Sequence, residues 1–238
     1  MNWIGLWTLT SREVGRFFKV YRQTVIPGLI SSVLYILIFV FTLEQRISSI
    51  EGISYTIFII PGLIMMNTLS NASSNPSSSL LQMKLTGQVP DLMQAPLSSL
   101  EISLAFIIGG VVRGVVNGIL ILLIGMWIGG MEVLYPIATI GFIFVVSVAF
   151  SSMGLLLGQL ADTWDQLSTM QNFFLTPLSF LGGIFYSVNM LPDWAQTISA
   201  FNPIYYMING LRFTTLGFSD SDPQYSFVIA LLMSIGLS

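Results

Sequence analysis

The sequence has no cysteine and no histidine in 238 residues. Without thiols there is no disulfide, thiol nucleophile or thiolate metal site. Without imidazole, most zinc chemistry, imidazole general-base catalysis and Ser-His hydrolysis are excluded. Charge is scarce too: 8 Lys+Arg and 11 Asp+Glu make up 8% of the chain, against about 25% in a soluble domain. So few scattered cations leave no electrostatic footprint for nucleic acid. Apolar residues are plentiful at 54%, more than a soluble fold of this length can hide from water. The composition is that of a polytopic membrane protein.

A transmembrane helix needs about 20 mostly apolar residues. Six runs approach that length, at about 25–43, 53–75, 102–128, 133–160, 170–185 and 225–238. The expected fold is all-α, with residues 23–238 forming one transmembrane domain. The second run continues through the polar stretch NASSNPSSS, and the third carries a single Arg. The sixth has 14 residues before the sequence stops, about 21 Å of helix, and reads as a span cut short with its cytoplasmic tail missing. Arg12, Arg16, Lys19 and Arg22 precede the first run, and Lys84 falls on the same side once the spans alternate. Arg46 and Arg212 fall on the other. By the positive-inside rule the N-terminus is expected in the cytoplasm.

Residues 1–22 are not a signal peptide, because Trp3 and Trp7 precede the basic residues and no small-residue cleavage motif follows the apolar run. On a helix, Trp3, Leu6, Trp7, Val14, Phe17, Phe18 and Tyr21 fall on one side, and Arg12, Arg16, Lys19 and Arg22 on the other. Such a helix is expected to lie in the headgroup plane, aromatic side toward the acyl chains.

Four further segments stand out. The loop at 84–101, KLTGQVPDLMQAPLSSLE, is too apolar for a disordered linker. Pro90 and Pro96 can bound a short helix there, whose Leu92 and Met93 beside Asp91 and Gln94 suit docking into another protein's groove; an ordinary connection is the alternative. In the third run Gly110, Gly114 and Gly118 recur every fourth residue, the spacing that lets helix backbones approach, beside a polar edge of Gly109, Arg113 and Asn117. Arg113 falls about 11 residues into the run, roughly 16 Å, and is either functional or a structural Arg paired with a carboxylate or backbone carbonyls. In the second run Asn67, Asn71 and Asn75 repeat every four residues, a stripe that either lines a pathway or joins helices. At 181–212 the breaks at Gly182-Gly183, Pro192 and Pro203 leave pieces too short to cross, with Trp194 and Tyr206 near their ends. These read as re-entrant half-helices on the outer side.

The pattern Pro177-Leu178, Leu181-Gly182-Gly183-Ile184-Phe185-Tyr186, Leu191-Pro192, Trp194, Asn202-Pro203, Tyr206 and Arg212 resembles the hallmark of ABC-2-type exporter permeases. Ile60-Pro61-Gly62-Leu63-Ile64-Met65-Met66 and Pro96-Leu97 fit the same family. Within it the chain is most similar to the small permeases grouped with the nodulation J-type, polysaccharide and antibiotic exporters. The resemblance implies a six-span permease in the bacterial or archaeal inner membrane, paired with a second permease, here expected to be the same chain as a homodimer. It implies two copies of a separate ABC ATPase subunit that carries the ATP and Mg; this chain binds no cofactor and lacks the P-loop GxxxxGK[ST]. It implies that Gly87, Pro90, Asp91, Leu92, Met93 and Pro96, at about 87–96, form a coupling helix against that ATPase. The interfacial helix with Trp3, Trp7, Arg12, Arg16, Phe17 and Lys19 touches it as well. Pro192, Trp194, Pro203, Tyr206 and Arg212, at about 192–212, cap the exit. The expected cargo is amphipathic, lipid-linked or drug-like and moves outward.

Two other classes compete. An intramembrane enzyme would need a Ser-Lys or two-Asp arrangement, but Lys84 sits at a span end and Asp162 and Asp165 read as a solvated loop. An ion-coupled carrier usually shows acids at mid-membrane or repeated broken helices, and neither is present in the sequence.

Overall fold

The structure is a computed structural model that describes residues 2–42, 49, 50 and 52–237, with side chains for all of these except 40–42. Glu44, Arg46 and Glu51, and the expected span ends at 43 and 238, lie outside the described residues. In chain order the elements are α1 (Trp3–Lys19), α2 (Tyr21–Thr24), α3 (Ile26–Thr42), the two-residue strands β1 (Ser49–Ile50) and β2 (Ile53–Ser54), α4 (Tyr55–Leu85), α5 (Val89–Gln94), α6 (Ser99–Gly129), α7 (Pro136–Leu160), α8 (Trp164–Leu181), α9 (Asp193–Ala200), α10 (Pro203–Leu216) and α11 (Pro223–Leu237). The strands form an antiparallel hairpin, and a single 3-10 turn, Val188–Met190, precedes α9.

Local chemistry sets the helix ends. The Asn2 side chain caps α1, Ser98 and Glu101 form a capping box on α6, and Thr163 and Asn202 cap α8 and α10. Pro136 and Pro203 occupy first turns, where their missing N–H costs nothing. Gly130 and Gly217 end α6 and α10 in the left-handed conformation.

Four stretches are long and apolar enough to cross a membrane among the described residues: Tyr21–Phe39, Tyr55–Leu85, Ser99–Gly129 and Pro136–Leu160. α4 and α6 have 31 residues each, about 46 Å of helix against roughly 30 Å of hydrocarbon. The sequence ends the second span near residue 75, yet α4 runs on for ten residues through Pro76. Pro76 leaves the Ala72 carbonyl without its helical donor, and α6 closes over that carbonyl at Gly110. An added Gly110 Cβ would come within 2.7 Å of it. α8 begins at Trp164, six residues before the fifth expected span, and ends at Leu181, four short of it.

α4 is the axis of the fold. Phe58, Ile59, Ile60, Leu63, Ile64 and Met65 are fully buried between α6, α7, α10 and α3. Small residues make this closeness possible. Gly114 and Gly118 of α6 face Ser147 and Ile143 of α7 and Ala72 and Thr68 of α4, while Gly154 and Gly158 of α7 sit on the backbone of Ser73 and Ser77. The polarity is inverted relative to a soluble protein. Ser32, Thr68, Ser73, Asn75, Ser77, Asn117, Ser147, Ser151 and Asn209 are buried, whereas Ile30, Leu34, Leu123, Trp127, Ile137, Phe144, Leu231 and Ile235 point outward. Helices that pack in lipid use small and polar contacts because apolar burial drives nothing there. The chain is therefore an all-α, multi-pass membrane protein.

Candidate functional site: a coupling face and a polar cleft

The two ends of the bundle carry different machinery. At one end lie α1, α5 and the α7–α8 corner. Gly87, at φ 70°, turns the chain out of α4, and Pro90 and Asp91 occupy the first turn of α5. Met93 is 78% exposed. Leu92 is not its neighbour on that surface: it packs inward with Val89 and Leu97 against Leu6, Leu9 and Met83. The expectation of an exposed Leu92 is corrected by the helical geometry, which turns consecutive residues about 100° apart.

Glu101 ties this end together. Its Oε2 accepts from the Ser98 amide at 2.7 Å and from the Ser98 hydroxyl at 2.8 Å, and its Oε1 accepts from the Asn2 amide. Asn2 also donates through Nδ2 to the Pro96 carbonyl at 3.1 Å. One carboxylate thus joins the start of α1, the end of the α5 segment and the first turn of α6. A groove of about 540 Å³ remains between α1 and α5, with Arg12 and Asp91 on opposite walls and Pro96 at one end.

α1 has three faces rather than two. Leu6, Leu9, Thr10, Glu13 and Phe17 are buried, while Trp3, Trp7, Phe18 and, at the start of α2, Tyr21 remain exposed, as do Arg12 and Lys19. Phe17 therefore leaves the aromatic side and Arg16 the solvated side on which helical periodicity places them. Glu13 accepts from Ser79 Oγ at 2.9 Å and lies 3.7 Å from Arg16 Nε. Arg16 Nη2 donates to the Asn75 carbonyl at 2.6 Å, and burial lowers the Arg16 pKa from its ordinary value, partly offset by Glu13. The Glu13 stem rests on Gly109, where an added Cβ would meet it at 2.8 Å.

The asparagine stripe joins helices in this structure. Asn67 Nδ2 donates to Ser32 Oγ on α3 at 3.0 Å, Asn71 Oδ1 accepts from Arg113 Nε on α6 at 3.0 Å, and Asn75 receives Arg16 of α1. Asn117 Nδ2 donates back to the Arg113 carbonyl at 2.9 Å. Arg113 has no carboxylate within ion-pair distance among the described residues. It stands one turn, about 6 Å, beyond the Glu13–Gly109 contact, so α1 already covers α6 to that point. The guanidinium lies on a cleft of about 430 Å³ between α4 and the first half of α8, lined with Ser74, Ser77, Ser78, Asp165, Ser168, Gln171 and Asn172. Gln171 Nε2 donates to Ser77 Oγ across it at 2.9 Å. Lys84 donates to the Ala161 carbonyl at 2.6 Å and to Asp162 at 2.9 Å, so Asp162 caps a corner while Asp165 faces the cleft.

The opposite end holds residues 192–212, the segment expected to be re-entrant. Pro192 precedes α9, Pro203 opens α10, and Trp194 is exposed between them. The Tyr206 hydroxyl donates to the Ala200 carbonyl at 3.0 Å. Arg212 has no exposed surface. It pairs with Asp220 at 3.4 Å, donates to the Gly183 carbonyl at 2.9 Å and stacks 3.9 Å from the Phe58 ring. Asp220 also accepts from Ser187 Oγ at 2.6 Å and the Val188 amide at 3.2 Å. Arg212 is thus a neutralised internal tie and adds no weight to the charge count for the outer side. Glu13, Glu101 and Asp220 escape sequence reasoning. A lone acid in a charge-poor chain, one turn from an Arg in Glu13 and eight residues from one in Asp220, is the signal available for two of them.

Comparison with known proteins follows the same lines. The profile of the ABC-2 type transporter family matches residues 5–216. The chain is 38% identical to the inner membrane transport permease YadH of Escherichia coli K12, over 92% of this chain and 86% of that protein. It is 24% identical to nodulation protein J of Rhizobium leguminosarum bv. viciae, over 91% and 83%. It is 27% identical to the putative transport permease ycf38 of Cyanophora paradoxa, over 83% and 70%.

Proposed function

The chain belongs to the ABC-2 type transporter family, and from that premise we propose that it is the permease half of an ATP-driven exporter. It is a transport permease rather than an enzyme, and it works with an ABC ATPase. In our reading two ATPase subunits, holding ATP and Mg, sit below a homodimer of this chain. α1, α5 and the α7–α8 corner face the cytoplasm, which agrees with Arg12, Arg16, Lys19, Arg22 and Lys84 all lying toward that end. α8 and α11 complete six spans, and α9 with the first turns of α10 caps the outer mouth.

The observation that carries the reading is the α5 clamp. Met93 stands exposed, and Asp91 is exposed on the groove wall facing Arg12, on a helix that is packed against α1 and followed by the Glu101 tie. A push on α5 cannot be absorbed locally, so α1 and α6 move with it as one rigid body. Through Glu13, Arg16 and Asn75 the same push reaches α4, and through Asn71 it reaches Arg113. The second copy packs against the α3–α8 side, where α8 buries only Leu167, Leu175 and Ser179 and shows Phe173 and Phe174. ATP-driven closure of the motors then tilts the two bundles about this seam and carries an amphipathic or lipid-linked cargo outward.

The test is the variant Asp91→Ala with Met93→Ala in the reconstituted permease–ATPase complex. ATP hydrolysis is expected to persist while export falls at least tenfold, with unchanged thermal unfolding of the permease. Export at the wild-type rate would remove the coupling assignment.

A further inference from the structure

Seven buried side-chain atoms lack a hydrogen-bond partner among the described residues, and four of them belong to the joint where α1 lies on α4 and α6. They are Thr10 Oγ1, Glu13 Oε2 and Arg16 Nε of α1 and Asn75 Nδ2 of α4. Glu13, Asn75 and Thr10 are 0%, 1% and 9% exposed. Buried polar atoms without partners are few in a native fold, and each needs an explanation. Four at one joint need a shared one.

The surrounding contacts fix how these atoms are held. Arg16 Nη2 donates to the Asn75 carbonyl at 2.6 Å and to its Oδ1 at 3.3 Å, which sets the amide orientation and leaves Nδ2 as the unused arm. Ser79 Oγ donates to Glu13 Oε1 at 2.9 Å, leaving Oε2 as the unused oxygen. Oε2 and Arg16 Nε stand 3.7 Å apart, beyond direct hydrogen-bond reach and at a separation that a bridging water accounts for. The bare backbone of Gly109 admits both arms, since a Cβ there would come within 2.8 Å of the Glu13 stem and 3.0 Å of Asn75 Nδ2. Thr10 is one turn from Glu13 on the buried face of α1.

The balance of donors and acceptors selects the guest. Arg16 Nε and Asn75 Nδ2 only donate, the Glu13 carboxylate oxygen accepts, and the Thr10 hydroxyl does either. A metal cation would be turned away by the two N–H donors, and an anion by the Glu13 carboxylate. Glu13 and Arg16 offset each other's charge, so the guest that fits is neutral. Water brings two lone pairs and two hydrogens, the complement of this set, and buried waters characteristically bond to such groups. A cavity of about 300 Å³ lined by Ser11, Arg12, Gly15, Arg16 and Lys19 reaches Arg16 from outside and gives the water a way in.

We infer that the joint of α1 with α4 and α6 is a binding site for one internal water, which accepts from Arg16 Nε and Asn75 Nδ2 and donates to Glu13 Oε2 and Thr10 Oγ1. The tie between Glu13 and Arg16 is thus relayed by solvent rather than made directly. The assignment rests on side-chain chemistry and holds independently of the transport reading.

The test is electron cryomicroscopy of the full chain with its ATPase in lipid nanodiscs, at a resolution where ordered waters are seen elsewhere in the bundle. Melting of the variant Thr10→Val accompanies it. The map is expected to show one peak at about 2.7–3.2 Å from Arg16 Nε, Asn75 Nδ2 and Glu13 Oε2. Arg16 Nε bonded directly to Glu13 Oε2, with no peak beside them, would overturn the site. So would a peak that grows when sodium is replaced by caesium, which marks a cation. Thr10→Val keeps the side-chain shape and removes one hydroxyl. With the water in place this strands one of its hydrogens, and the unfolding midpoint should fall by roughly 1–6 °C. In a dry joint the same change only trades an unpartnered hydroxyl for a methyl. A midpoint equal to or above the wild type would therefore overturn the inference without any map.

Discussion

Replacing Asp220 by alanine removes the counter-charge from a guanidinium with no exposed surface. Arg212 would keep the Gly183 carbonyl and the Phe58 ring, but neither neutralises a full charge. Ser187 Oγ and the Val188 amide would lose their acceptor as well. Breaking a buried pair from one side costs about 3–5 kcal/mol, chiefly because the surviving charge stays buried and uncompensated. For a chain of this size each kcal/mol moves the unfolding midpoint by about 2–4 °C, so the expected drop is roughly 6–20 °C. Asp220→Asn, which keeps one acceptor oxygen, should fall between the alanine variant and the wild type. The second arm is Arg212→Met together with Asp220→Ala, which removes both charges and leaves a residue of similar length. If the penalty is an orphaned charge, this double variant recovers at least half of the lost midpoint. Scanning fluorimetry on tryptophan fluorescence in micelles, at one fixed scan rate, reads all four proteins. A midpoint for Asp220→Ala within about 2 °C of the wild type, or a double variant less stable than Asp220→Ala, would refute the reasoning.

Two further predictions concern the contacts that set helix spacing and the Glu101 clamp. Gly110→Ala places a methyl within 2.7 Å of the Ala72 carbonyl and against Ser151 Oγ, and is expected to cost about 1–3 kcal/mol by overpacking. Gly141→Ala, where nothing lies within 4 Å, should instead gain about 0.5–1 kcal/mol; equal effects in a paired melt would sink the packing account. Glu101→Ala releases Asn2 and Ser98. Amide exchange should accelerate at residues 2–9 and 95–99 while α9 and α10 stay unchanged, and exchange as slow as in the wild type would show that the carboxylate holds nothing.

The family was legible because its signal is punctuation: prolines and glycines at 182–203 that break an apolar run in a set order, which local backbone chemistry preserves. The existence of the long spans was legible for a similar reason, since charge-free runs have no other place to go. Span ends were less so. α4 outruns its apolar stretch because its buried polar residues bond to the helix backbone and to Glu13 and Arg16 of α1, and hydropathy scores such residues as solvent-facing. Leu92 and Phe17 were misplaced because an amphipathic pattern separates polar from apolar but does not tell which apolar residues meet protein and which meet lipid.

That ambiguity has a physical resolution. In lipid an aliphatic side chain gains nothing by choosing a helix over an acyl chain, so Ile30 or Leu34 can stay outside at no cost. A glycine face gains close backbone contact, and a polar side chain gains a partner it cannot find in hydrocarbon. Inward orientation is therefore decided by the smallest and most polar residues of each helix. On α6 these are Gly110, Gly114 and Gly118 with Asn117, and on α4 Asn67, Asn71 and Asn75 with their serines. Every buried polar group then needs an account of its partners. Glu13, Glu101, Asp220 and Arg212 find most of theirs within the chain, leaving Glu13 Oε2 and Arg212 Nε without a hydrogen bond, and each joins separate elements. Arg113 finds only Asn71, and its unfilled donors open on the cleft beside α8.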